Sequence, residues 1–459
     1  MYQLDFQRPL HIHMIGIGGV SMSGLAHILL DAGFSISGSD RQAGELTASL
    51  EARGVSISYD QSICCIPSQT KVVVYTAAIS QDNPEYHFAA TTGLPMLNRA
   101  ELLGQLMGNY HRSLAIAGTH GKTTTTSMVA HILLAAKTDP TISVGGVLPV
   151  IKGNIRVGGH EFFLTEACEY TDSFLSFSPT HAVILNIEED HMDYFADLAQ
   201  IRSSFHTFMQ RVKPGGLIVI NADIDDVAAL TADLTVPVVT FGADPAAAYS
   251  YQNLHFDAKG RPHFDVYAGG ALLGQLSLQV PGEYNVVNAM AAIALTHKLG
   301  CSFDVIAAGL SAFGGTHRRF EHKGSRQNVT VIDDYAHHPT EIRATLSAAR
   351  ALAHERLVVV FQPHTYSRTK AFLDDFASAL SEADLVILPD IYAARETDTL
   401  GISSADICRR LQTLGTEAYY LPTFSEVLEY LKKNCINGDV LITMGAGNVV
   451  NIGEMLLTD

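Results

Sequence analysis

The chain has 459 residues, 47% hydrophobic and 17% charged, a globular composition too long for one core, so two to four domains are expected. A net charge of −17 argues against a nucleic-acid partner, because phosphate backbones are bound by basic surfaces. No window approaches the length of a membrane span and no basic start leads into a long apolar run, so a cytoplasmic protein with no membrane partner is expected. Six scattered cysteines without metal-ligand spacing, two of them adjacent (Cys64 and Cys65), read as free thiols of a reducing compartment.

Strand-like apolar runs alternate with helical patterns almost throughout, at Ile12–Ile17, Val72–Thr76, Leu114–Ala117, Ala182–Ile187, Leu217–Asn221, Val329–Asp333, Leu357–Phe361, Leu385–Leu388 and Val440–Met444. Continuous apolar runs suit strands buried on both faces, which predicts α/β architecture with parallel sheets. From about Tyr249 to Val280, short alternating runs broken by Gly260 and by Gly269-Gly270 predict antiparallel hairpins instead. Boundaries near Gly108 and Thr316 divide the chain into 1–108, 109–316 and 317–459.

In chain order, the first glycine turn is Gly16-Ile17-Gly18-Gly19, followed some twenty residues on by Ser39-Asp40 at the end of a second strand. That arrangement fits a nucleotide diphosphate or a redox dinucleotide, although Ser21 stands where a dinucleotide fingerprint has its third glycine. The second turn, Gly118-Thr119-His120-Gly121-Lys122-Thr123-Thr124, lies between a strand and a helix. Backbone N–H groups and a helix N-terminus there would cradle phosphates. Lys122 would reach the β- and γ-phosphates from the surface of an open cleft, and Thr123 would offer a hydroxyl to Mg²⁺. Two residues separate the glycines where the usual loop has four.

Glu166 ends a short apolar run, and Asn186-Ile187-Glu188-Glu189-Asp190-His191-Met192-Asp193 follows another. Carboxylates and an imidazole at strand C-termini stand where an open α/β sheet places its ligand site. Thr123 with Glu166 makes an oxygen pair suited to Mg²⁺, and His191 would admit Mn²⁺ as well. Asn285 and Asn288 share a helix face, where either adenine contact or capping is open. The last third has four polar clusters, each read as following a strand and converging on one sheet edge to hold an anionic substrate: Arg318-Arg319-Phe320-Glu321, Asp333 through Pro339, Gln362 through Arg368, and Tyr392 through Glu396 with Arg395.

Taken together, these segments resemble the Mur ligases, in order across all three thirds of the chain. The resemblance implies an N-terminal UDP-binding domain with a Rossmann-like sheet, a central ATPase domain with a small antiparallel part, and a C-terminal Rossmann-like domain. It accounts for the short phosphate loop, and it implies ATP-dependent activation of the lactyl carboxylate of UDP-N-acetylmuramate for attack by L-alanine, in peptidoglycan precursor synthesis. Attachment of a preformed tripeptide to the same nucleotide sugar is the alternative. The resemblance also implies a monomer or weak homodimer. By carry-over it implies UDP-sugar contacts at Gly16, Gly18, Gly19, Ser39, Asp40 and Thr76. ATP contacts fall at Gly118 through Thr124, Asn288, Arg319 and Asp334, and metal contacts at Thr123, Glu166 and His191. Substrate contacts fall at Tyr335, His337, His364 and Arg368, with Lys122, His191, His364 and Arg368 in catalysis. Thr365 stands where some members have arginine.

Overall fold

A computed structural model describes residues 2–60, 64–76, 79–192, 194–394 and 396–458, so Asp193 and Arg395 lie outside the described residues. Three sheets follow one another along the chain. The first contains β1 (His11–Ile15), β2 (Ser35–Ser39), β3 (Ser56–Ser58), β4 (Val72–Tyr75) and β5 (Met96–Asn98), ordered β3-β2-β1-β4-β5 and all parallel. Its helices are α1 (Val20–Asp31), α2 (Glu45–Glu51), α3 (Pro84–Thr92) and α4 (Arg99–Met107). Local chemistry fixes where they begin. Asn83 caps α3 with Pro84 at its first position, and Asn98 with Glu101 forms a reciprocal cap on α4.

The second sheet has ten strands: β6 (Arg112–Ala117), β7 (Thr141–Leu148), β8 (Gly153–Arg156), β9 (Phe162–Ala167), β10 (His181–Ile184), β11 (Leu217–Asn221), β12 (Val238–Gly242), β13 (Tyr249–Phe256), β14 (Pro262–Ala268) and β15 (Ala271–Ser277). They run in the order β15-β14-β13-β12-β11-β10-β6-β9-β7-β8. The β13–β14–β15 meander is antiparallel, as the broken alternation of that segment predicts. Around the sheet lie α5 (Lys122–Ala135), α6 (Leu198–Gln210), α7 (Val227–Thr231), α8 (Glu283–Lys298) and α9 (Phe303–Ser311). Strand β6 sits between β10 and β9 and runs parallel to both, so the turns after all three strands open on one edge.

The third sheet is β16-β17-β21-β18-β19-β20, from β16 (Glu321–Arg326), β17 (Val329–Asp334), β18 (Leu357–Phe361), β19 (Leu385–Leu388), β20 (Glu417–Tyr420) and β21 (Val440–Met444). Only β16 is antiparallel to its neighbour. Its helices are α10 (Pro339–Arg350), α11 (Tyr366–Ala371), α12 (Leu373–Leu380), α13 (Ser404–Thr413), α14 (Phe424–Asn434) and α15 (Val450–Thr458). Runs such as Leu357–Phe361 and Val440–Met444 are buried at every residue, as two-sided helical cover requires.

One apolar core is continuous from the first sheet (Ile12, Leu25, Leu102) into one face of the second (Phe163, Phe174, Phe205). The other face of the second sheet packs α5, α8 and α9. Two sequence readings need correction. Ile17 and Ile187 belong to turns rather than strands, because Gly16 and Asn186 begin the loops that form sites. The Arg318–Glu321 cluster precedes β16 instead of following a strand, and it reaches the third sheet's edge because Arg318 folds back onto Asp333 and the Gly445 carbonyl. Among the described residues no helix is long and apolar enough to cross a membrane.

Candidate active site

The phosphate loop closes β6 and opens α5. Gly121 sits at φ +83°, and a Cβ there would come within 2.5 Å of Asn288 Oδ1, so both the turn and the close approach of α8 require glycine. No side chain caps α5, which leaves its first-turn N–H groups available to an anion. The loop after β10 grips this turn from the side. Asn186 Oδ1 accepts the His120 N–H at 2.8 Å, its amide donates to the His120 carbonyl at 3.2 Å, and Thr119 Oγ1 accepts the Glu188 N–H at 2.9 Å.

Lys122 differs from the sequence expectation of an open-cleft surface. Its ammonium is bound to both Glu169 oxygens at 2.9 and 3.1 Å and donates to the carbonyls of Gly118 and Thr119 at 2.5 and 3.1 Å. Burial works against the charge, but Glu169 outweighs it and raises the lysine's proton affinity. Glu169, only 2% exposed, lies one turn past the strand end that carries Glu166. Sequence reasoning passed over it because nothing in the spacing distinguishes a lysine's partner from a solvated loop acid.

The residues carried over as metal contacts have different immediate neighbours. Glu166 Oε1 accepts the Gly145 N–H at 2.6 Å. A Cβ at Gly145 would lie 2.8 Å from Glu166 Oε2, and one at Gly146 would lie 3.2 Å from Thr123 Cγ2. Two glycines therefore keep open the gap flanked by that carboxylate and that threonine, and the oxygen donors suit Mg²⁺. His191, at φ +54°, packs at a tilt against the Tyr170 ring, centroids 4.5 Å apart, with its Nε2 3.7 and 3.8 Å from Glu169 and Asp190. Among the described residues the close ligand-type group is instead His120, Glu188 and His338, with atoms within 4.8 Å of one another. Burial disfavours charge on His120, but Glu188 and Glu341 outweigh it and raise its pKa to about 9. Protonated, His120 is the ion-pair partner of both carboxylates.

Two cavities adjoin here. The first, about 260 Å³, is lined by the phosphate loop, Asn186, Tyr284, Asn288, Arg319 and Asp334. Asn288 accepts the Thr125 hydroxyl at 3.2 Å and stands within 3.4 Å of Asn285, so both amides are packed rather than surface groups. Asp334 accepts N–H groups from Phe320 and Ala336 at 2.8 and 2.7 Å; burial raises its pKa to about 6 against the pull of Arg319.

The second cavity, about 240 Å³, is lined by Asp190, His191, Tyr335, His337, His364 and Arg368 among others. Arg368 donates to Asp190 at 2.9 Å, joining the second and third sheets. Burial favours the neutral acid, yet Arg368 holds Asp190 well below the usual carboxylate range. The guanidiniums of Arg318 and Arg319 both approach the Tyr335 ring, at 4.9 and 5.0 Å from its centre. His337 donates from Nδ1 to the Tyr335 carbonyl at 3.0 Å, and its burial lowers its pKa to about 4. His364 stacks on Tyr392 at 5.6 Å. The cavities lie on opposite sides of the same two loops, since Glu188 and Asp334 face the first while Asp190 and Tyr335 face the second.

The first sheet's glycine turn is separate from both. Asp40 accepts the Gly18 N–H at 2.8 Å and the Arg41 N–H at 2.8 Å, and the Thr76 side chain packs against Gly16. Asp40 thus clasps the glycine turn itself. The Ser39 hydroxyl donates inward to buried Glu85, which also bonds His13 at 3.1 Å, so Ser39 is committed to the interior. Gly19 leads into α1.

A three-sheet α/β protein with a short phosphate loop facing its last sheet is the class that this fold and site define. Family models match residues 11–111 (Mur ligase family, catalytic domain), 116–296 (Mur ligase middle domain) and 318–447 (Mur ligase, glutamate ligase domain). The chain belongs to the Mur ligase family. It is 55% identical to the UDP-N-acetylmuramate–L-alanine ligase of Agathobacter rectalis and 56% identical to that of Lachnospira eligens, each over the full length of both chains. Its structure is similar to the crystal structure of the UDP-N-acetylmuramate–alanine ligase of Thermotoga maritima, with TM-score 0.81, 31% identity and 98% of each chain covered. A murein peptide ligase from Psychrobacter arcticus matches at TM-score 0.70 and 26% identity, again over 98% of each chain.

Proposed function

We propose that this chain joins L-alanine to the lactyl carboxylate of UDP-N-acetylmuramate at the expense of ATP. The reading is supported by a phosphate-loop cavity sharing two walls with a cavity lined by three histidines and Arg368, and by full-length relatives of that name. We divide the chain into functional units 1–108 for the UDP-sugar, 109–316 for ATP and 317–459 for closing the site. Free thiols at all six cysteines suit a cytoplasmic enzyme.

A carboxylate is a poor electrophile, so one of its oxygens first attacks the γ-phosphorus and the bond to the departing ADP oxygen breaks. The amine then attacks the acyl-phosphate carbon, loses a proton and expels phosphate. In this reading Gly118 through Thr124 hold the phosphates, and Lys122 leaves Glu169 to offset charge on the transferring oxygens. Asn288, Arg319 and Asp334 line the nucleotide side, while Tyr335, His337, His364 and Arg368 receive the acid and the amine. Thr123 and Glu166 would hold Mg²⁺, with His191 adjoining through Glu169; the ion would neutralise phosphate charge. Gly16, Gly18, Gly19, Asp40 and Thr76 form the UDP-sugar turn, with Ser39 supporting it from within.

The test is product mass spectrometry with ATP, Mg²⁺ and UDP-N-acetylmuramate across a panel of amines. L-Alanine should dominate, with glycine and serine weak, because a small pocket excludes bulk more sharply than it rewards one methyl group. A dominant tripeptide adduct would overturn the assignment.

A further inference from the structure

Glu341 stands in the first turn of α10, where an acid is favoured by the helix dipole. One of its oxygens serves the helix start: Oε2 accepts the His337 N–H at 3.0 Å. The other oxygen does something a cap does not require. Oε1 crosses to the second sheet and meets His120 Nδ1 of the phosphate loop at 3.3 Å, and it stands 3.8 Å from Arg319 Nη1. The carboxylate is 13% exposed. It therefore touches a residue of the first cavity through one oxygen and a residue of the second through the other.

We propose that Glu341 is a positioning residue for the ligase reaction, its charged carboxylate fixing the phosphate loop against the loop that carries His337 so that the two cavities stay in register. This rests on the reaction proposed above. The groups facing His120 are Glu341 from α10, Glu188 from the loop after β10 and the His338 ring at 4.7 Å, with a bound triphosphate adding negative charge; Glu341 itself also faces the His337 ring at 3.3 Å and Arg319 at 3.8 Å. Two carboxylates keep this imidazole protonated, and with Glu341 neutral only Glu188 remains, at 3.6 Å.

Glu341→Gln separates this role from capping, because an amide oxygen still accepts the His337 N–H but cannot hold the His120 charge. The variant should fold, melting moderately below wild type because the His120 charge is held less tightly, and lose at least tenfold in kcat with a smaller change in the KM for ATP. Its kcat should fall as pH rises from 6 to 8, where wild type stays level. Glu341→Asp keeps the charge and shortens the reach, so it should lose about threefold in kcat and retain the wild-type pH profile. Independently of turnover, NMR titration of the His120 ring should show its midpoint lowered by at least one pH unit in Glu341→Gln. A His120 midpoint unchanged in that variant, or a kcat and pH profile within twofold of wild type, overturns the proposal. If Glu341→Gln does not fold, wild-type kcat in Glu341→Asp overturns it as well. Wild-type protein without acid-dependent ATP turnover would sink the ligase reading instead, and leave the titration to judge Glu341.

Discussion

The Lys122 ammonium lies 2.9 Å from Glu169 Oε2, so the cation that would meet triphosphate is already matched by a buried carboxylate. Nucleotide binding on this reading is an exchange of anions, in which phosphate oxygens take the place of Glu169. The same relationship holds on the substrate side, where Asp190 occupies Arg368.

Lys122→Ala should therefore damage the fold as well as the chemistry. Removing one member of a buried pair leaves an uncompensated charge, at a cost of about 3–5 kcal/mol. The Lys122→Ala variant should unfold at lower urea than wild type. Lys122→Ala with Glu169→Gln should recover most of that loss, while turnover in both stays below about a tenth of wild type, a loss of roughly 1.4 kcal/mol or more in transition-state stabilisation. Full stability in the single variant would mean that the pair contributes nothing to folding.

Asp190→Ala strands Arg368, which is 11% exposed and joins the second and third sheets. The expected loss is again about 3 kcal/mol, an order-of-magnitude figure for an unpaired buried charge. With Asp190 intact, Arg368→Lys should keep neither full stability nor full turnover, because an ammonium cannot supply both guanidinium contacts with Oδ1. Chemical denaturation with a parallel rate assay reads both outcomes.

His120 gives the stability a pH dependence above neutrality. Its folded pKa of about 9 exceeds the unfolded value of about 6.5, so its contribution is fully present below pH 6.5 and is lost as pH rises through 9. The loss across that window is on the order of 3 kcal/mol at about 1.4 kcal/mol per unit. Melting curves from pH 6 to 10 should show a decline in wild type that His120→Gln flattens. Parallel declines in the two proteins would assign the effect elsewhere.

Much of this architecture was legible because buried parallel strands write themselves as unbroken apolar runs; Leu217–Asn221, Leu357–Phe361, Leu385–Leu388 and Val440–Met444 coincide with the strands found. The phosphate loop was legible for a related reason, since its glycines answer a local backbone demand. Glu169, Glu341 and the approach of two arginines to Tyr335 were not, because each matters through a partner 15 or more residues away, at Lys122, His120 and Arg318 with Arg319. Ser39 misled for the opposite reason. Its place at a strand end is right for a ligand contact, but Glu85, on another element, draws its hydroxyl inward. Pair identity across elements is not encoded in spacing.

Thr365 carries backbone strain in the lining of the second cavity. It sits at φ +66°, ψ 147°, a region nearly confined to glycine and unusual for a β-branched residue. The surroundings enforce it: its N–H donates to the Tyr392 carbonyl at 2.9 Å, its carbonyl accepts the Thr369 hydroxyl at 2.6 Å, and Glu396 holds the N–H groups of Tyr366 and Ser367 at 2.7 and 2.9 Å. Such a conformation costs about 1–3 kcal/mol. Thr365→Gly relieves it, less about 0.4–1 kcal/mol for the added freedom of the unfolded chain. The variant should therefore melt higher than wild type. Activity should move the other way, because the strained turn sets the direction of both His364 and Arg368, and a glycine there loosens them together. The expected signature is a raised Tm with a lowered kcat and a raised KM for the acid substrate. A Thr365→Gly protein that melts no higher than wild type would show that the turn stores no strain.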